Sequence, residues 1–239
     1  MESLKKLGDI LFLDIETVSC TPTYQELDER LRSIWDKKAS FIDKLADKSD
    51  LFFQKAGIYA EFGKIVSISA GFFFLNNRKE LSLKVKSFYG HEEGKILCDF
   101  KELLENGFKG KKVRLCAHNG KEFDFPYLCR RLLINGIPLP EALKLSGKKP
   151  WEVQHLDTLE MWKFGDKKNY TSLDLLAAVF DIPSSKSDLD GSMVNATYYS
   201  ENNLEKIKTY CEKDVVVTAR VFLKYNCLPE LEEENIIIL

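Results

Sequence analysis

The chain has 239 residues, 44% of them hydrophobic, with 35 Lys and Arg set against 37 Asp and Glu. A formal charge of −2 argues against coating nucleic acid by bulk electrostatics, although cations bound in an acidic cleft would still permit local phosphate contacts. The amino-terminal apolar run is too short for a signal peptide, and no stretch approaches the ~20 apolar residues of a membrane span.

Six cysteines without a CxxC pair read as buried thiols of a reducing compartment, so a cytoplasmic protein is expected. No linker tract or internal repeat divides the chain, and a single domain over 1–239 is the simpler reading.

In chain order, a strand is expected over Asp9 to Glu16. From Tyr24 to about Ala56 the pattern turns helical, with Leu27, Leu31, Ile34, Trp35, Phe41, Leu45 and Phe52 spaced for one face of one or two helices. Strands at 64–74 and 81–89 flank the turn "NNRKE" as a hairpin. A helix over 92–106 turns Ile96, Leu97, Phe100, Leu103 and Leu104 inward, and a strand follows at 112–119. The next helix, Phe123 to Asn135, stops at Gly136 and Pro138. Residues 150–180 read as a short strand and two helices, and 181–192 as a loop. A final helix runs from about Leu204 to Tyr225, capped by Asn202 or Asn203. Strands come first as a meander and then alternate with helices. That order predicts an α/β fold, a mixed sheet with helices on both faces.

The first strand carries the chemistry. In "LFLDIET" (11–17), Asp14 and Glu16 project from one face, because side chains on a strand alternate. Two like charges among apolar neighbours are costly unless something positive lies between them. Edge protection is the structural alternative, but the flanking residues are fully apolar and suit a central strand. Asp124 follows "AHNGKEF" at a helix start, where an acid also simply offsets the macrodipole. Tyr210 and Asp214 in "YCEKD" lie four apart on one helix face, which by itself is ordinarily a surface hydrogen-bonded pair.

Taken together, "FLDIET", "NGKEFD" and "YCEKD" resemble the three exonuclease motifs of the DEDD nucleases, in the subclass with a tyrosine in the third motif. The chain is most similar to bacterial stand-alone exonucleases related to the proofreading domain of family B DNA polymerases. The resemblance runs from about residue 9 to 225, with a helical insertion at about 21–62. It implies a ribonuclease H-like fold and a metal-dependent 3′–5′ exonuclease acting on nucleic acid 3′ ends, single-stranded or frayed, with no membrane partner.

The resemblance also implies roles. Asp14, Glu16, Asp124 and Asp214 would hold two divalent cations, Mg²⁺ or Mn²⁺. Asp14 would bridge them, and Tyr210 would orient the attacking water. Asn119 matches the asparagine opening the second motif, Thr17 and Val18 are expected against the terminal nucleotide, and Lys186 is a candidate for phosphate. His118 and Asp157 read better as a structural histidine and a helix cap. An RNA-directed exoribonuclease, a ribonuclease-H-like endonuclease and a non-catalytic binding or scaffold module on the same fold stay open as alternatives. The endonuclease would place its acids differently and lack the tyrosine, and the module would have lost acids.

Overall fold

A computed structural model describes residues 6–108, 112–166, 168, 170–184 and 189–239. Six strands form one mixed sheet in the order β5-β4-β1-β2-β3-β6. β1 (Ile10–Ser19) is central, antiparallel to β2 (Gly63–Leu75) and parallel to β4 (Arg114–Ala117). β3 (Leu81–Tyr89) pairs antiparallel with β2, while β5 (Leu156–Asp157) and β6 (Ile236–Ile238) pair parallel with β4 and β3.

The alternation of β1 divides the core. Leu11, Leu13 and Ile15 face one layer, packed against Ile96, Leu97 and Phe100 of α3 (Glu93–Asn106) and Phe125, Leu128 and Leu132 of α4 (Asp124–Ile134). Ile10 and Phe12 face the other layer, against Val215, Ala219 and Phe222 of α8 (Leu204–Tyr225). Phe12 meets the Phe73 and Phe222 rings edge-on, at centroid distances of 5.1 and 5.4 Å. Gly71, opposite Phe12, lets α8 come close: a Cβ there would lie 2.9 Å from Val215 Cγ1.

The hairpin turn is held by Asn76, whose Oδ1 accepts from the amides of Arg78 and Glu80. α4 ends as read, with Gly136 at φ +69 and the Ile137 amide donating to Leu132 O. Asn203 caps α8, its Oδ1 accepting from the Lys206 amide. Residues 150–180 form β5, α5 (Thr158–Lys163) and α6 (Leu173–Val179).

Four expectations need correction. The segment 24–56 forms two helices, α1 (Glu29–Ile42) and α2 (Lys48–Lys55), but they do not share one buried face. Leu27, Trp35 and Phe52 are buried, whereas Phe41 and Leu45 are 90% and 96% exposed. α1 packs through the Trp35–Ala39 stripe, with the Trp35 indole donating to Lys48 O, so residues off that stripe face outward. Second, α7 (Val194–Tyr199) and β6 lie in stretches to which no element was assigned. α7 is fixed by tertiary bonds: Asn195 accepts from the Ser19 amide and donates to Phe53 O. Third, β1 runs past Glu16 to Ser19 through a bulge between Glu16 and Thr17. Fourth, two of the six cysteines, Cys98 and Cys227, are exposed. Among the described residues no helix is long and apolar enough to cross a membrane.

Candidate active site

Asp14 and Glu16 continue the face of β1 that begins with Ile10 and Phe12, so they point toward α8. They lie opposite Ser69 and Ser67 of β2. Where Phe12 meets Phe222 near one end of α8, the acids meet Tyr210, Cys211 and Asp214 farther up the same helix. The spacing is that of successive turns, and Tyr210 and Asp214 share a face as i and i+4. The bulge after Glu16 then re-aims the strand, a device common beside active sites.

The cluster is tight and largely buried. Oxygen atoms of Asp14 and Glu16 and the Cys211 sulfur all lie within 4.8 Å of one another. Glu16, Asp124 and Asp214 are buried, and Asp14 Oδ2 is a buried atom with no hydrogen-bond partner. Burial pushes the Asp14 carboxyl well above its usual range, and the Asp214, Glu16 and Asp124 charges add to it. Glu16 is raised by burial and then by Asp214 and Asp124. Asp124, in the first turn of α4, is pushed up to about 7 by burial, while its own amide and that of Ile15 favour its charged form.

Tyr210 is held far above the ordinary phenol range by burial and by the Asp214, Glu16 and Asp14 charges; its hydroxyl also bonds to Asp214. The Cys211 thiol is likewise held neutral by burial and the two β1 acids, and it donates to the Asp14 carbonyl oxygen at 3.3 Å. Cys211 is one of the cysteines expected to be buried, and it lies between Tyr210 and Asp214 against the two β1 acids.

The turn that carries Asp124 is fixed by Asp157. That carboxylate caps α5 through the Leu159 and Glu160 amides and also accepts from the amides of Asn119 and Lys121. Asn119 sits at φ +62, the left-handed turn leading from β4 toward α4, and its backbone makes these contacts. His118 bridges Thr158 Oγ1 and Thr171 O, a structural position.

The flanking residues differ from expectation. The Val18 side chain is fully buried with Val66, Val194 and Ile207, so it is not offered to a nucleotide by packing. The Thr17 hydroxyl donates to Gly57 O at 2.8 Å and anchors the helical segment. Lys186 lies outside the described residues.

Residues 58–236 match the family described as "Predicted 3'-5' exonuclease related to the exonuclease domain of PolB". The chain belongs to this family. The matched stretch includes Asp124, Tyr210 and Asp214 and begins after β1 with Asp14 and Glu16. Membership classes the protein as a 3′–5′ exonuclease, a hydrolase of ribonuclease H-like type.

Among solved structures, the fold is similar to that of the family B DNA polymerase from the archaeon Pyrobaculum calidifontis, with a TM-score of 0.55 and 15% identity, covering 90% of this chain and 24% of that one. E. coli Exonuclease I in complex with a dT13 oligonucleotide gives a TM-score of 0.43 and 11% identity, covering 91% of this chain and 40% of that one. This chain thus spans less than half the length of either. No curated protein matches it.

Proposed function

We propose that this exonuclease uses two divalent cations held by Asp14, Glu16, Asp124 and Asp214 to release nucleotides from unpaired 3′ ends, with single-stranded DNA as the preferred substrate. One observation carries the reading: the buried Asp14 Oδ2 lacks any partner inside a cluster of carboxyl groups. An ionised oxygen in that position costs several kcal/mol unless a cation sits against it. The donors are carboxylates, which fit hard ions such as Mg²⁺ or Mn²⁺. The Cys211 thiol keeps its proton and serves as a donor to the Asp14 backbone, leaving the oxygens as the ligands.

Two such cations, when bound, supply positive charge to the attacking and leaving oxygens of the displacement. The chain's own groups do the rest. Tyr210 bonds to Asp214 and retains its proton, so its oxygen is suited to hold the attacking water and not to deprotonate it. Asp157 locks the turn that presents Asp124. The Thr17–Gly57 bond ties the strand just past the bulge to the helical segment.

The nucleic-acid partner is supported by the family. A buried site of this kind must receive an unstacked end, and unstacking costs about a few kcal/mol per step. Calorimetric titration of Mn²⁺ into the wild type and Asp14→Asn tests the metal reading. Binding that is unchanged in the variant overturns it. Matched DNA and RNA oligonucleotides decide the sugar, and faster cleavage of RNA reverses that part.

A further inference from the structure

A groove unconnected with catalysis runs along the outer face of α4. Its volume is about 620 Å³. Pro126, Cys129 and Leu133 line one wall at helical spacing, and Leu139, Leu145 and Val153 of the following segment line the other. Phe125 and Leu143, both fully buried, close the floor where the core reaches the surface. Leu133 is 61% exposed, at the groove's edge.

The polar rim carries more positive than negative charge. Lys121, Arg130 and Lys148 border the groove against a single carboxylate, Glu160, which is already paired with Lys121 at 2.5 Å. Arg130 and Lys148 are exposed, and no carboxylate among the described residues forms an ion pair with either side chain. The chain as a whole carries −2, so this local positive rim runs against the overall balance. Lys148 also acts on Glu141, but Arg130 and Lys148 beside an apolar trough still complement a ligand with apolar side chains and adjacent carboxylates.

We propose that this groove docks a short acidic peptide segment of a partner protein, with aliphatic side chains seated between Leu133 and Leu139 and carboxylates meeting Arg130 and Lys148. The lining favours a peptide over nucleic acid. Bases bind single-strand channels by stacking on exposed aromatic faces, and the groove offers aliphatic and proline surface, its one ring (Phe125) being fully buried. The groove begins on the first turn of α4, directly after Asp124. A docked partner would therefore sit on the helix that carries a cluster acid, without entering the cleft.

The probe is a fluorescein-labelled octapeptide with four aspartates and two leucines, titrated by anisotropy against the full chain. A version with lysines in place of the aspartates is the control, and a labelled dT12 strand with chelator is run in parallel. The acidic peptide should bind with micromolar affinity, weaken as salt rises, and lose at least tenfold with either Arg130→Glu or Leu133→Glu. Cleavage of a short oligonucleotide by Leu133→Glu should match that of wild type, which also reports that the variant folds. The proposal is overturned if the acidic peptide fails to bind, if it binds both variants as it binds wild type, or if the lysine peptide binds equally well. It is also overturned if dT12, and not the peptide, loses affinity in Arg130→Glu, because the groove would then belong to nucleic acid.

Discussion

Replacing Asp124 with asparagine should make the metal-free protein more stable in alkaline solution. The wild-type carboxyl is pushed up to about 7, chiefly by burial, with Asp157 and Asp214 contributing. In the unfolded chain it titrates near 3.9. The folded state therefore binds the extra proton, and its stability falls as pH rises from about 4 to about 7. At about 1.4 kcal/mol per pH unit, the full window is worth roughly 4 kcal/mol, and the part between pH 5 and pH 7 roughly 3 kcal/mol. Asparagine has the same shape and keeps a carbonyl oxygen for the backbone amides but cannot ionise. Its removal of one charge also eases Asp14 and Glu16, both of which feel Asp124. Urea unfolding in EDTA at pH 5 and pH 8, at fixed ionic strength, reads the difference. The wild type should lose roughly 3 kcal/mol more than the variant between the two. An identical pH dependence, or a steeper one in the variant, refutes the claim that Asp124 lies in a repelling, desolvated cluster.

Saturating Mg²⁺ or Mn²⁺ should raise the wild-type Tm, by about 2.7 kcal/mol of stability at a hundred times Kd; thermal unfolding of Asp14→Asn should show little of this gain. Tyr210→Phe should keep metal binding while single-turnover cleavage slows about 10²–10⁴-fold, and loss of metal binding would contradict the water-positioning role. Away from the site, Glu93 and Arg131 form a buried pair that also ties the Ile65 amide and Ala60 O. Arg131→Met strands Glu93 and should cost roughly 3–5 kcal/mol in urea unfolding, only part of it recovered in the double variant with Glu93→Leu, which leaves the Ile65 amide and Ala60 O without their partners.

Local periodicity carried most of the fold. The alternation in β1 put Asp14 and Glu16 on one face and the i, i+4 spacing put Tyr210 and Asp214 on another, and the structure turns those two faces together, beside Ile10 and Phe12. What escaped depends on contacts distant in sequence. The six-residue α7 owes its place to Asn195 bonding across to Ser19 and Phe53. The three-residue β6 exists by pairing with β3. The Glu16–Thr17 bulge is invisible in composition, and it is what buries Val18 and turns Thr17 to Gly57. Helical spacing read Phe41 on α1 and Leu45 beyond its end as inward, but Trp35 decides which apolar stripe of α1 is buried, and Leu45 lies outside either helix.

The central claim is metal-dependent removal of nucleotides from a 3′ end, and one gel tests it. A single-stranded DNA oligonucleotide labelled at its 5′ end and a closed single-stranded circle are incubated with the protein, in Mg²⁺ and again in EDTA. The account predicts that the labelled strand shortens one nucleotide at a time in Mg²⁺, that the circle stays intact, and that EDTA or Asp14→Asn stops the reaction. Linearised circle, cleavage that persists in EDTA, or immediate release of the 5′ label as a mononucleotide would contradict it.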